Sequence, residues 1–297
     1  MVNKSKNNWT NWHHIFHQSI LNNINFIPNG INLLISVSGG QDSMALLTLL
    51  DDIKEHHAWS LNVWHGNHKW HNESEKFEKE LQNYCFRKDI IFYKDSADEI
   101  DITTEEKARK WRYQKLYEKA SYICANDKEN NDLYIVTGHT SSDNTETFLL
   151  NLARGSNFGG LSGIPKKRLL NKEYFLVRPM MIFTRKDTYS ICKKLNIPFW
   201  VDPTNSDTKL KRNLIRQKVL SELEEIYPGC SYRINSFIEK MRNYAQERSE
   251  LSELAIKSCL SDNGIRRAIL NNLGEQARAT LLHSLLSKKC KKQISSK

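Results

Sequence analysis

Residues 31–43 read INLLISVSGGQDS, and they constrain the fold more than any other stretch of the chain. Ile31, Leu33, Leu34, Ile35 and Val37 make an apolar run of strand length with β-branched members. Gly39 and Gly40 follow, and without a Cβ they let a ligand reach the main chain. MALLTLLDDI then predicts a helix that begins near Asp42 or Ser43. A strand, a glycine turn and a helix start bring unpaired N–H groups and the positive dipole end to one point, which favours an anion such as phosphate.

The loop is not a Walker A loop. That motif needs a lysine for the terminal phosphates, and no lysine lies between Lys6 and Lys54. An acid inside an anion site makes sense if Asp42 holds Mg²⁺ against phosphate oxygens while Ser38 and Ser43 donate hydrogen bonds to them. The other reading of the same residues is a Gly-Gly turn capped by Asp42 or Ser43.

At 297 residues, with ordinary apolar content, the chain has enough material for one large or two smaller domains. No apolar run approaches the roughly 20 residues that span a bilayer, so no membrane association is expected. The N-terminal stretch lacks a signal-peptide core. It has no acid before Asp42, as in a transit peptide, but also no arginine before Arg87. The expected location is the cytoplasm, or the plastid stroma if the gene is organellar. The six cysteines are at least 29 positions apart, so no CxxC suggests zinc, an iron–sulfur cluster or a redox pair.

Charge is unevenly placed. Residues 1–164 hold 17 Lys+Arg against 21 Asp+Glu, whereas residues 165–297 hold 27 against 13. A net +14 on the second half points to a polyanion, because counterion release favours a concentrated positive face.

Along the chain, residues 9–21 have helical spacing, with His13, His14 and His17 read as helix surface. WSLNVWH (59–65) reads as a second strand ending in HGNHKWHNES. His65, His68 and His71 there could suggest metal, but no cysteine or clustered carboxylate completes a coordination shell, so they are expected to border a nucleotide. Residues 73–86 look helical, IIFY (90–93) is a third strand, and 103–125 form a long capped helix. In that helix Glu105, Arg109 and Arg112 share a face, as site residues or as a surface Glu–Arg pair.

DLYIVTGH (132–139) is a fourth strand. The helix after it carries His139, Asp143 and Glu146 on one face, suited to a cation or amine, or to complementing the helix dipole. A glycine-rich loop at 151–168 reads as a mobile grip or a plain linker. YFLVRPM (174–180) is a fifth strand, 184–195 a capped helix, and TKLKRNLIRQKVL a basic helix with Arg212 and Arg216 one turn apart. Strands alternating with helices predict an α/β fold, doubly wound, with a mainly parallel five-stranded sheet and its site at the strands' carboxyl ends. After about residue 221 only helices are expected, ending in a basic tail. The predicted domains are 1–220 for nucleotide binding and 221–297 as a basic, all-helical region.

SGGQDS resembles the pyrophosphate-loop (PP-loop) motif of the N-type ATP pyrophosphatases. With HGNH, EEKARKWRY, TGHTSSDNTET, NLARGS, RPM, DPTN and KRNLIR in order over residues 31–220, the chain resembles the tRNA(Ile)-lysidine synthetase family. The resemblance implies an adenine nucleotide alpha hydrolase-like fold, with ATP and Mg²⁺ as cofactors. It also implies ligation of L-lysine to C2 of the wobble cytidine in the CAU anticodon of tRNA(Ile), through an adenylated cytidine, with no DNA partner and room for a homodimer. Carried onto this chain, Ser38, Gly39, Gly40, Gln41, Asp42, Ser43 and His65 would bind the nucleotide. Asp42, Asp143, Glu146, Arg109, Arg112, Arg212 and Arg216 would act in catalysis, with Asp42 and Glu146 on Mg²⁺. Thr140 and Ser142 stand where many members have a second histidine and a paired aspartate. The rival readings are a PP-loop tRNA thiolase, a small-molecule amide-forming synthetase, and a non-enzymatic RNA-binding module.

Overall fold

The computed structural model describes residues 9–22, 26–68, 73–97, 104–127, 132–201, 211–261 and 264–290. His71, the DPTN stretch at 202–205 and the tail at 291–297 lie outside them. The elements in chain order begin α1 (Asn11–Leu21), β1 (Asn32–Ser36), α2 (Gln41–His57), β2 (Ser60–Asn67), α3 (Ser74–Arg87), β3 (Ile91–Ser96), α4 (Glu105–Asn126), β4 (Leu133–Thr137) and α5 (Ser141–Ala153). They continue with α6 (Phe158–Leu161), β5 (Lys167–Leu170), β6 (Tyr174–Val177), a 3₁₀ turn (Pro179–Ile182) and α7 (Arg185–Lys194). Then come α8 (Lys211–Leu214), a π-helical segment (Ile215–Leu220), α9 (Ser221–Ile226), α10 (Cys230–Cys259), β7 (Leu260–Ser261), β8 (Gly264–Ile265), α11 (Arg267–Asn271) and α12 (Glu275–Cys290).

The main sheet runs β3-β2-β1-β4-β6-β5, with all neighbours parallel except β5 and β6. β1 sits in the middle, with Leu33 beside Leu61 of β2 and Tyr134 of β4. Its side chains alternate between layers, as strand geometry requires. Leu33 and Ile35 join the α1, α2 and α7 layer with Phe16, Leu46, Leu50 and Ile191. Leu34 joins Leu116, Ala120 and Ile135 under α4. Each such side chain, once buried, contributes about 1.5–3 kcal/mol. Chain order reverses between β1 and β4, and an open parallel sheet leaves its ligand crevice above such a switch point.

The sheet has six strands where five were expected, and the extra one is β5. Its KRLL sequence does not alternate. The turn into β6 places Asn171 and Lys172 at φ +49° and +63°, without the glycine that would signal such a hairpin. The C-terminal region is likewise not purely helical, since β7 and β8 pair over two residues. α10 packs its first half on α5 and α6, while its end joins Leu270, Leu281 and Leu285 in a separate small core. His13, expected on a helix surface, is buried. Its Nδ1 lies 2.8 Å from Thr10 Oγ1 and its Nε2 2.9 Å from Asp52.

Candidate active site

β1 ends at Ser36, and the chain turns through Gly39 (φ +88°) into Gly40, which caps the 17-residue α2. Ser43 Oγ donates to Gly40 O at 2.9 Å and accepts from Ser38 N at 3.2 Å, so this buried hydroxyl closes the loop on itself. Ser38 is exposed at the loop's crest, its Oγ 3.2 Å from that of Ser43. His65 steadies the base of the loop, its Nδ1 2.8 Å from Val37 O, and burial lowers its pKa so that the ring is neutral. The cradle is therefore preorganised, and it holds the start of α2, where a helix leaves amides without intrahelical partners, beside the carboxyl end of β1.

Two glycines set how closely other segments approach this loop. A Cβ on Gly39 would lie 2.7 Å from the Trp200 ring, and Trp200 N donates to Gly39 O at 3.0 Å. Trp200 also donates its indole N–H to Glu80. A Cβ on Gly138, at the end of β4, would meet the Ser43 backbone at 3.1 Å. Trp200 and Gly138 were not singled out from sequence, because neither lies near the glycine motif along the chain.

Gln41 and Asp42 turn toward α7. Gln41 Nε2 donates to Arg185 O at 2.7 Å and to Thr188 Oγ1 at 3.0 Å. Thr188 donates to one oxygen of Asp42, and Arg185 lies 3.5 Å from the other. Burial pushes the Asp42 pKa up to about 6, with Asp143 adding to the rise, while Arg185 and the Thr188 and Gln41 bonds oppose it. The side chain of Gln41, a residue expected at the nucleotide, thus braces α7. Asp42 is a carboxylate beside the cradle, and among the described residues it pairs with one cation, Arg185, over a long 3.5 Å. That fits Mg²⁺, which takes one or two carboxylates plus phosphate oxygens and waters.

The second half of the site rises from the end of β4. Thr140 caps α5 reciprocally with Asp143, whose Oδ2 accepts from Thr140 N at 2.8 Å and from Thr140 Oγ1 at 2.9 Å. Asp143 Oδ1 receives Arg212 at 3.0 Å. Burial opposes ionisation of Asp143, but Arg212 and the Thr140 bonds hold its carboxyl below the usual range. One turn on, the fully buried Glu146 accepts from Arg212 Nε at 2.7 Å and from Arg216 Nε at 2.6 Å and Nη2 at 3.0 Å. Both of its oxygens, expected on Mg²⁺, thus accept from guanidinium groups in this arrangement. Arg216 lies in the π-helical segment, a distortion often found at functional sites.

His139 stands between these groups, its Nδ1 2.9 Å from Thr137 Oγ1. Burial does most to hold this ring neutral, lowering its pKa to about 3. Asp143 opposes that effect, and Arg178, Arg212 and Arg109 reinforce it. Arg109 lies on exposed α4 surface with its guanidinium 5.1 Å from the Tyr113 ring centre, while Arg112 reaches toward His68 at 3.5 Å. At the other end of the sheet an open depression of about 550 Å³ is lined by Asp132 and Glu173 and, among the described residues, by no lysine or arginine, which is the wrong chemistry for a triphosphate.

A family model described as a PP-loop domain matches residues 13–223, which contain every group of this site. A tRNA(Ile)-lysidine synthase of Prochlorococcus marinus subsp. pastoris is 54% identical over 99% of this chain and 88% of its own length. One from another Prochlorococcus marinus strain is 37% identical over 97% and 86%. Among solved structures, the U34-tRNA thiolase NcsA from Methanococcus maripaludis, described with its [4Fe-4S] cluster, covers 77% of this chain and 78% of its own at TM-score 0.60 and 16% identity, a likeness of fold alone. With a PP-loop domain across the site and such identities over nearly whole lengths, the chain belongs to the tRNA(Ile)-lysidine synthase family.

Proposed function

We propose that this chain ligates L-lysine to C2 of the wobble cytidine of a CAU-anticodon tRNA(Ile), using ATP to make the C2 oxygen displaceable. The observation that carries the reading is a glycine-turn phosphate cradle and an acid–arginine cluster over adjacent carboxyl strand ends, in a chain of this family. A pyrimidine carbonyl is a poor electrophile. Transfer of the adenylyl group to its oxygen releases diphosphate and leaves AMP as the group that the lysine amine expels.

In this reading Ser38 and the first-turn amides of α2 hold the departing diphosphate, where fixed donors stabilise developing charge without reorganising. Mg²⁺ would be held by Asp42 and would neutralise phosphate oxygens. Gly40 and Ser43 keep the cradle's shape. Asp143, whose carboxylate stays ionised, attracts the cationic lysine side chain. Arg212 and Arg216 tie Asp143 and Glu146 to the basic helix, so that RNA bound on that helix is held close to the acids. Arg109 and Arg112 face the polyanion. We place the nucleotide-binding domain at residues 1–220 and the basic region at 221–297, in a protein of the cytoplasm or plastid stroma that can act as a homodimer. Among the described residues no helix is long and apolar enough to cross a membrane.

The test is to incubate the protein with ATP, labelled lysine and unmodified CAU-anticodon tRNA(Ile). Label is expected in the RNA only when ATP is present. Sulfur transfer with no lysine incorporation would favour the thiolase reading instead.

A further inference from the structure

Three guanidinium groups outside the acid–arginine cluster converge on one phenol ring. Arg109 of α4 and Arg168 of β5 lie 5.1 and 5.0 Å from the Tyr113 ring centre. Arg178, at the end of β6, donates from Nη2 to the Tyr113 hydroxyl at 3.4 Å and from Nη1 to Pro165 O at 2.7 Å. Arg178 is 1% exposed, and its Nε is buried without a hydrogen-bond partner.

None of the three pairs with a carboxylate among the described residues. The nearby acids Asp143 and Glu146 are taken by Arg212 and Arg216. A buried cation without a counter-charge is costly, and here the acceptors of Arg178 are neutral. The surplus charge is also felt by its neighbours. Although burial opposes it, Arg109 and Arg178 hold the Tyr113 hydroxyl below its usual pKa, and the same two arginines act on His139. Arg178 follows directly on β6 and Arg168 of β5 pairs with Leu176 near that strand's end, so the group lies at the carboxyl end of β6, across β4 from β1 and its glycine turn. Guanidinium forks held by ring contacts match the oxygens of a phosphate or carboxylate.

We propose that Arg109, Arg168 and Arg178, positioned by Tyr113, form a second oxyanion site distinct from the PP-loop. It takes either a phosphodiester beside the base being modified or the α-carboxylate of the attacking amino acid. The assignment rests on the proposed lysine ligation, and it adds Arg168, Arg178 and Tyr113 to the substrate-binding groups.

Arg168→Ala and Arg109→Ala test it, since neither side chain is buried in the core. Each variant is first checked for wild-type melting. RNA affinity is then measured without ATP or lysine across a salt series, and the KM for lysine is compared with that for cadaverine, which lacks the carboxylate. A phosphodiester source predicts about tenfold weaker RNA binding and a salt slope shallower by about 0.7, the value for one single-strand contact. A carboxylate source predicts unchanged RNA binding and a lysine KM raised about tenfold, with cadaverine used equally by variant and wild type. Unchanged RNA affinity and unchanged lysine KM in both variants would overturn the site. If the wild type transfers no lysine at all, the ligation reading fails separately, and the RNA arm alone decides, with lost affinity upholding the site and unchanged affinity refuting it.

Discussion

Asp42 combines two properties that pull against each other. Its carboxyl is buried enough to titrate near 6, well above its ordinary 3.8, so folding disfavours its charged form. The folded state then binds more protons than the unfolded state between those values, and stability falls as pH rises from about 4 through 6, by on the order of 2–3 kcal/mol. Asp42→Asn keeps an acceptor for Thr188 and removes the charge. It is expected to melt a few degrees higher than wild type at pH 8 while losing lysine incorporation, a trade typical of functional groups. An unchanged or lower melting temperature with full activity would show that Asp42 is neither a strained group nor a metal ligand. Glu146 behaves in the opposite way. Its removal as Glu146→Ala leaves Arg212 and Arg216 partly buried without their shared acid, so a loss of about 3–5 kcal/mol is expected in denaturant melts.

At the scale of elements, the glycine loop works because other segments press on it. Gly138→Ala would drive a methyl into the Ser43 backbone and displace the start of α2. Lysine incorporation should fall by at least tenfold with only modest loss of stability, as read by kinetics and thermal melts on the same sample. α1 is tied to the end of α2 through histidines. The His57 Nδ1 lies 2.7 Å from Asn29 Oδ1, its ring stacks on Trp59 with centres 4.2 Å apart, and its Nε2 is buried without a hydrogen-bond partner. Burial, with His17 and His56 nearby, lowers the His57 pKa, and burial with His56 and His14 lowers that of His17. The unfolded chain thus binds more protons below about pH 6.5, and stability present above that value is lost as pH falls. Urea melts at pH 5.5 and 8 should show this, and His57→Gln should flatten the difference.

The strand–loop–helix at 31–57 and the helix face of His139, Asp143 and Glu146 were legible in the sequence because periodicity and spacing place them without tertiary knowledge. β5 was not, because a non-glycine turn with positive φ carries no local signal. The roles of Trp200, Thr188 and Arg185 were not legible either, since these residues reach the loop only after the sheet has formed. For the same reason the guanidinium partners of Glu146, on a helix some 70 residues downstream, could not be read from its own neighbourhood.

Over the whole molecule, charge and topology point the same way. The PP-loop lies over the middle of the sheet, and the second half of the chain carries the positive surplus. RNA affinity should therefore fall steeply with salt, and progressively shallower slopes are expected as lysines and arginines of the second half are replaced. The proposed reaction turns on one step, in which the loop grips the diphosphate of ATP while the adenylyl group passes to the cytidine oxygen. It is tested most directly by a single turnover with α-labelled ATP and CAU-anticodon tRNA(Ile), first without lysine and then with it. Label is expected to appear on the RNA with release of diphosphate, and to leave as AMP when lysine is added. Labelled ADP, or RNA that never carries the label, would contradict it.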